Sequence, residues 1–304
     1  MGKLTVSAII HTFNEEANIE RCLRSLSWVG EIILIDMNST DKTCELAKSY
    51  GVKIFKHPNM GFADPARNFG ISKATGDWIV VLDADEELPA SLVQFLTRNM
   101  GKDIDFFRIP RKNIIFSKWI RHTGWWPDYQ IRFFRKGYVE WTDKIHGVPQ
   151  TRGLGHDIEP DETLCIIHYN YQTIDQYLYR LNRYSSISAK ELFLANSSFD
   201  FSNLIRSPVR EFINRYFLWQ GYKDGVHGLG LSFLQSFGEL VVNLKLWELS
   251  GFKEQKLSLK DTNRLISEGF KEIRFWNIKE ILKSEKSLFM RLFLKLQRKI
   301  NLHV

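Results

Sequence analysis

Two carboxylates, Asp83 and Asp85, stand one residue apart directly behind the apolar run 78–82. Side chains alternate along an extended chain. The first and third residues of Asp83-Ala84-Asp85 therefore share a side at the carboxyl end of the strand that the run predicts. Hard oxygen donors so placed suit Mg²⁺ or Mn²⁺, which hold carboxylates and phosphate oxygens together while keeping some water. The ligand this implies is a nucleotide diphosphate. The tripeptide also fits the approach to a helix, because Pro89 reads as a helix start. The neighbouring segments decide between the two.

The first hundred residues alternate β-branched runs with helical patterns. Strands are predicted over 6–10, 31–35, 52–55 and 78–82, with helices near 16–26, 41–50 and 64–73. Such a βαβ series gives an α/β fold with a mostly parallel sheet, and ligands bind beyond the carboxyl ends of its strands. The polar clusters follow strands: His11-Thr12-Phe13-Asn14-Glu15 the first, Asp36-Met37-Asn38-Ser39-Thr40-Asp41 the second, Asp83-Ala84-Asp85 the fourth. From about 105 to 171 the pattern changes to short strands rich in aromatic residues, which reads as a mixed or antiparallel extension of the sheet. Helix returns over 174–194, and the remainder reads as mostly helical.

With 304 residues, 44% of them apolar, the chain can bury a full core as one large domain or a catalytic domain with an extension. Disordered and fibrous classes are excluded. Cys22, Cys44 and Cys165 are scattered and lack metal-ligand spacing, which fits a cytosolic chain. The amino-terminal residues carry no signal-peptide apolar region. The net charge of +7 is uneven: residues 201–304 hold 18 Lys and Arg against 10 Asp and Glu, and the rest is nearly balanced. The basic partner surface is therefore expected in the last third.

The order of motifs resembles the family 2 glycosyltransferases, inverting enzymes with the GT-A nucleotide-sugar fold. The residues that carry it are Ile9-Ile10-His11-Thr12-Phe13-Asn14-Glu15-Glu16, Asp36-Met37-Asn38-Ser39-Thr40-Asp41, Pro65-Ala66-Arg67-Asn68-Phe69-Gly70 and Asp83-Ala84-Asp85. The resemblance implies that Thr12, Phe13, Asn14 and Glu15 line the nucleoside pocket and that Asp36 receives the uracil imide. It implies that Arg67 meets the ribose or diphosphate, that Asp83 and Ala84 contact the sugar nucleotide, and that Asp85 binds the metal. A guanidinium makes forked hydrogen bonds to phosphate that Lys cannot reproduce. Asn14 or Glu15 also fits as a helix cap, and Asp41 reads as the cap of the next helix. His11 replaces the usual Pro and is expected as a packed strand-end residue. Met37 stands where many relatives have a second acid.

Farther along, Trp126-Pro127-Asp128-Tyr129-Gln130-Ile131-Arg132-Phe133-Phe134-Arg135 and residues 139–146 are similar to a narrower group, the lipopolysaccharide-core glucosyltransferases and related enzymes of bacterial surface polymers. That similarity makes Asp128 the general base and His146 a third metal ligand, although His146 fits equally as a satisfied strand histidine. A partly dehydrated carboxylate can gain proton affinity for such a task, although a turn aspartate after Pro127 fits too. Trp125 and Trp126 can form an apolar platform for the acceptor sugar or belong to the core. Ile145-His146-Gly147 departs from the Val-His-Glu of the group.

The expectation is thus a GT-A catalytic domain over 1–200, with its nucleotide-sugar part at 1–104 and its acceptor side at 105–200, followed by a helical basic extension over 201–304. The expected reaction moves a sugar from a nucleotide-sugar donor, UDP-linked, to a lipid-linked saccharide or lipopolysaccharide-core acceptor with Mg²⁺ or Mn²⁺. Protein glycosylation and nucleotidyl transfer are alternatives, and a nucleic-acid-binding module ranks last because no nucleic-acid motif is present. Near the end, Leu288, Phe289, Leu292, Phe293, Leu296 and Ile300 form an apolar stripe beside Arg291, Lys295, Arg298 and Lys299. A basic amphipathic helix of this kind lies in an anionic membrane interface or packs on its own protein. The first reading puts the chain in the cytoplasm, peripheral on the inner face of the cell membrane.

Overall fold

The computed structural model describes residues 4–58, 64–141 and 149–303. In chain order the strands and helices are β1 (Val6–Thr12), α1 (Ile19–Ser25), β2 (Glu31–Asp36), α2 (Thr43–Lys48), β3 (Lys53–Lys56), α3 (Asp64–Lys73), β4 (Trp78–Asp83), β5 (Glu86–Glu87), α4 (Ala90–Asn99), β6 (Phe106–Ile109), β7 (Arg111–Ile115), β8 (Lys118–Trp119), β9 (Gln130–Arg135), β10 (Val139–Glu140), β11 (Gln150–Thr151), β12 (Gly155–Asp157), β13 (Ile166–Tyr169), α5 (Ile174–Leu194), α6 (Asn203–Ile213), α7 (Val226–Leu249), α8 (Leu259–Ser284) and α9 (Leu288–His303). They fall into two compact units, Met1–Ile115 with Trp125–Asn170 and Phe116–Gly124 with Tyr171–Val304.

The first unit is built on a seven-stranded sheet in the order β12-β6-β9-β4-β1-β2-β3. β9 runs antiparallel to both of its neighbours, β4 and β6, and the remaining pairs are parallel. Both faces are covered, so the central strands read as apolar runs rather than as an alternation with polar residues. Ile10, Leu34, Val80 and Leu82 lie on the face that carries α1 and α4, together with Leu23, Leu92 and Leu96. Ile9, Ile33, Ile35, Ile79 and Val81 lie on the other face with Ala66 and Phe69 of α3. Neighbouring residues thus enter different core layers, as the two-residue period of a strand requires. Burying one such side chain contributes roughly 1.5–3 kcal/mol. A smaller sheet pairs β13 with β5 antiparallel and with β7 in parallel.

Register brings the polar strand ends level. Thr12 pairs with Asp36 between β1 and β2, and His11 pairs with Asp83 between β1 and β4. Gly70 of α3 lets the helix approach this edge, since a Cβ there would lie 2.5 Å from Ile9 Cγ2 and 3.2 Å from Ile35 Cγ1.

The second unit is mainly helical. α7 packs against α5 and α6, and α8 packs against α6 and α9. Phe212, Ile213 and Phe217 form a core with Val209, Tyr216, Leu229, Ile273 and Trp276. Among the described residues no helix is long and apolar enough to cross a membrane. On α9, Leu288, Phe289, Leu292, Phe293 and Leu296 are between 48% and 80% exposed, so the stripe faces outward rather than into a core.

Candidate active site

The loops after β1 and β2 are joined by a run of hydrogen bonds. Asn14, at a positive φ of 54°, donates its N–H to Ser39 Oγ at 3.0 Å and accepts from Thr40 N at 2.8 Å through its side chain. Glu15 N donates to Thr43 Oγ1 at 2.8 Å, and Glu16 N donates to Asp41 Oδ2 at 3.0 Å. Asp41 also accepts from Thr43 N, which ties it to the first turn of α2, although the N-cap position there is Lys42 and Asp41 stands one residue before it. Asn14 therefore ties two loops together, and neither it nor Glu15 stands at the N-cap of α1, which is Asn18. Asp36 is buried, and its Oδ1 accepts from Ser39 N at 2.9 Å. Thr12 is buried beside it, while Phe13 is 38% exposed, an aromatic face open to a ligand. His11 is packed at the strand end, and burial, helped by the charge of Arg67, lowers its imidazole to about 3, so it is neutral.

Asp83 begins a chain of alternating charge. Its Oδ1 meets Arg67 Nη2 at 3.2 Å and its Oδ2 meets Arg132 Nη2 at 2.5 Å. Arg132 continues to Glu86 Oε1 at 3.2 Å, Glu86 Oε1 meets Arg111 Nη1 at 2.9 Å, and Arg111 reaches Asp128 Oδ2 through Nη2 at 2.8 Å and Nε at 2.9 Å. Three guanidinium groups thus neutralise three carboxylates. That balance is what permits Glu86 to be fully buried and Arg132 to be 2% exposed, because an unpaired buried charge is strongly destabilising. Burial alone would raise the Asp83 carboxyl, but the charges of Arg132 and Arg67 outweigh it and hold the group well below the usual carboxylate range.

Asp128 stands at a positive φ of 38°. Asp and Asn tolerate that region better than most side chains, and strain of this kind gathers at functional sites. Its Oδ2 also accepts from Asn113 Nδ2 at 2.8 Å, and its Oδ1 accepts from Gln130 Nε2 at 3.0 Å. Sequence reasoning expects burial to raise its proton affinity. Burial does act in that direction, but the charge of Arg111 and the hydrogen bonds from Asn113 and Arg111 prevail, and the carboxyl is lowered. This is a correction: Asp128 is held ionised, not poised near neutrality. Trp125 and Trp126 are half-buried, and the carbonyl of Trp125 accepts from Asn113 Nδ2 at 3.0 Å.

Asp85 is buried, with its Oδ2 3.4 Å from His168 Nε2, which is long for a hydrogen bond. Among the described residues no group of three His, Cys, Asp or Glu side chains converges as a metal site. A carboxylate and an imidazole at this separation still suit a divalent ion that takes its other ligands from phosphate and water. The buried Oγ1 of Thr12 and Nε of Arg132, which have no hydrogen-bond partner among the described residues, mark this region as a place for a polar ligand. His146 lies outside the described residues, whereas Ala84 is buried between the two aspartates.

Glu86, Arg111, Asn113, Arg132 and His168 were not singled out by sequence reasoning. Their signal was present in part: each is a polar or ionisable residue at an inward position of a predicted or short strand, where burial demands a partner.

Residues 7–156 match the model of the family described as Glycosyl transferase family 2. An uncharacterized glycosyltransferase of Rickettsia typhi is 26% identical over 294 residues, covering 92% of this chain and 97% of the relative. The lipopolysaccharide core biosynthesis glycosyltransferase LpsC of Rhizobium meliloti is 26% identical over 254 residues, covering 76% of this chain and 90% of the relative. Among solved structures, glucosyl-3-phosphoglycerate synthase from Mycobacterium tuberculosis, in complex with Mn²⁺, UDP and glucosyl-3-phosphoglycerate, is 26% identical, with a TM-score of 0.32. That match covers 36% of this chain and 44% of the other, less than half of its length. The chain carries a Glycosyl transferase family 2 domain over residues 7–156, on an α/β fold with a mainly parallel central sheet, and is a transferase enzyme.

Proposed function

We propose that this enzyme transfers a sugar, with inversion, from a UDP-linked donor to a saccharide acceptor of the lipopolysaccharide core or a related lipid-linked glycan. The observation that carries this reading is the unbroken ion-pair chain from Asp83, at the donor strand ends, to Asp128. Thr12, Phe13, Asn14, Glu15 and Asp36 form the nucleoside side, with Asp36 taking the imide N–H of uracil. Arg67, Asp83 and Ala84 face the ribose and diphosphate, and the charges of Arg67 and Arg132 there are balanced by Asp83 and Glu86. Asp85 and His168 would hold Mg²⁺ or Mn²⁺, which supplies charge neutralisation to the departing diphosphate. Asp128 Oδ1 takes the proton from the acceptor hydroxyl as its oxygen bonds to the anomeric carbon. The carbon–oxygen bond to the diphosphate breaks, and its electron pair leaves on the phosphate oxygen. Trp125 and Trp126 offer apolar faces to the acceptor ring.

The acceptor class is supported by the similarity to LpsC, a lipopolysaccharide core biosynthesis enzyme. A peripheral position on the anionic inner face of the cell membrane is supported by the exposed stripe of α9 beside Arg291, Lys295 and Arg298. The test is incubation with UDP-sugars and a truncated lipopolysaccharide core, reading the nucleoside diphosphate released and the mass gained by the acceptor. Release of UDP with a one-sugar mass increase is expected. Pyrophosphate release from a nucleoside triphosphate would overturn the reading in favour of nucleotidyl transfer.

A further inference from the structure

Asn113 lies on β7, fully buried, and its amide touches both halves of the site described above. Nδ2 lies 2.8 Å from Asp128 Oδ2 and 3.0 Å from the carbonyl oxygen of Trp125. Both are acceptors, so the amide orientation is fixed: a flipped Asn113 would set oxygen against two oxygens. Oδ1 then faces His168 Nδ1 at 2.7 Å and Asn170 Nδ2 at 3.4 Å. An amide oxygen only accepts, so His168 Nδ1 carries a proton and donates to it. That leaves Nε2 as the nitrogen that can bind a metal, and Nε2 is the atom 3.4 Å from Asp85 Oδ2.

The geometry points to Asn113 as a positioning residue with two duties, which rests on the reading of Asp128 as base and of Asp85 with His168 as metal donors. Its oxygen sets the His168 tautomer so that Nε2 is a donor to the metal. Its nitrogen holds Asp128 Oδ2, while Oδ1, which accepts one hydrogen bond from Gln130 Nε2, keeps a second lone pair for the acceptor hydroxyl. The hydrogen bond on the remote nitrogen of a ligating histidine sets which nitrogen binds metal, and loss of such a partner typically lowers affinity 10–100-fold. The two duties separate by substitution. Asn113→Asp keeps an acceptor for His168 Nδ1–H but replaces the donor to Asp128 with a carboxylate. Asn113→Leu removes both.

The experiment titrates Mn²⁺, followed by its electron paramagnetic resonance signal, into the wild type, both Asn113 variants and Asp85→Ala, with kcat and KM measured in parallel. Asn113→Leu should bind Mn²⁺ about 10–100-fold more weakly. Asn113→Asp should hold Mn²⁺ near the wild-type level while kcat falls at least about tenfold with KM for the donor little changed. A ¹⁵N-histidine spectrum of the wild type in mildly alkaline, metal-free buffer, assigned with His168→Gln, should report Nδ1–H for His168 and needs no altered Asn113. Wild-type Mn²⁺ affinity in folded Asn113→Leu, or an Nε2–H tautomer in the wild type, overturns the proposal. If Asp85→Ala also keeps wild-type Mn²⁺ affinity, the metal reading itself fails; if it alone loses affinity, only the role of Asn113 fails.

Discussion

Arg111 clasps Asp128 through two nitrogens on a single carboxylate oxygen, Nε at 2.9 Å and Nη2 at 2.8 Å from Oδ2. The clasp fixes the position of the proposed base and sets its charge state together. With its carboxyl lowered, Asp128 is ionised above the ordinary value of about 3.9 and loses its charge only as pH falls through a still lower point. Activity that needs the carboxylate therefore persists down to that point.

Replacing Arg111 with Met removes the largest influence that lowers Asp128 and leaves the opposing effect of burial. The acid limb of the kcat/KM profile should move upward. Because Glu86 keeps Arg132 but loses Arg111, stability should also fall, by up to about 3–5 kcal/mol. A pH–rate profile with a denaturant titration measures both. An unmoved acid limb would show that Asp128 is not the group whose ionisation governs the rate.

Asp128→Asn keeps the shape of the side chain and removes the proton acceptor. Turnover should fall about 10²–10⁴-fold while donor affinity is preserved. Steady-state kinetics with UDP binding by calorimetry separates the two. Near-normal turnover rejects the base, and lost donor affinity assigns Asp128 a structural role instead.

β1, β2 and β4 were legible because each carries a buried apolar run that ends in a polar cluster. The predicted 78–82 became Trp78–Asp83, and 64–73 and 174–194 matched α3 and α5 at both ends. The polar strand ends of β1, β2 and β4 followed from that pattern alone. The order of the sheet beyond β4 did not, because the insertion of antiparallel β9 between β4 and β6 depends on long connections that local pattern does not encode. The ion-pair chain was hidden for the same reason. Glu86, Arg111, Arg132 and Asp128 come from different strands and loops, and only tertiary pairing makes them one network. The lowered Asp128 could not be read from its neighbours in sequence because Arg111 is 17 residues away.

Gly70→Ala tests the packing that sets this edge. The added methyl would sit 2.5 Å from Ile9 Cγ2, a branch that cannot swing away without a change of rotamer. The substitution should cost about 1–3 kcal/mol through overpacking between α3 and the sheet. Thermal or denaturant unfolding measures it, and an unchanged midpoint would mean that α3 shifts without cost.

Truncation after Ser287 removes α9 with its exposed Leu288, Phe289, Leu292, Phe293 and Leu296. Binding to anionic vesicles should fall, and the residual difference should shrink at high salt, because apolar insertion and lipid-phosphate attraction both contribute. Sedimentation with anionic and zwitterionic vesicles reads this while UDP binding controls for folding. Equal vesicle binding by the intact and truncated chains would contradict the membrane proposal.

The most direct test of the central claim is calorimetric titration of UDP, GDP and dTDP into the wild type and Asp85→Ala, each with Mn²⁺ and with a chelator. The predicted result is that the wild type binds UDP in preference to the other two, only when Mn²⁺ is present, and that Asp85→Ala loses the metal-dependent part. If no nucleoside diphosphate binds in a metal-dependent way, the donor site proposed at the ends of β1, β2 and β4 is contradicted.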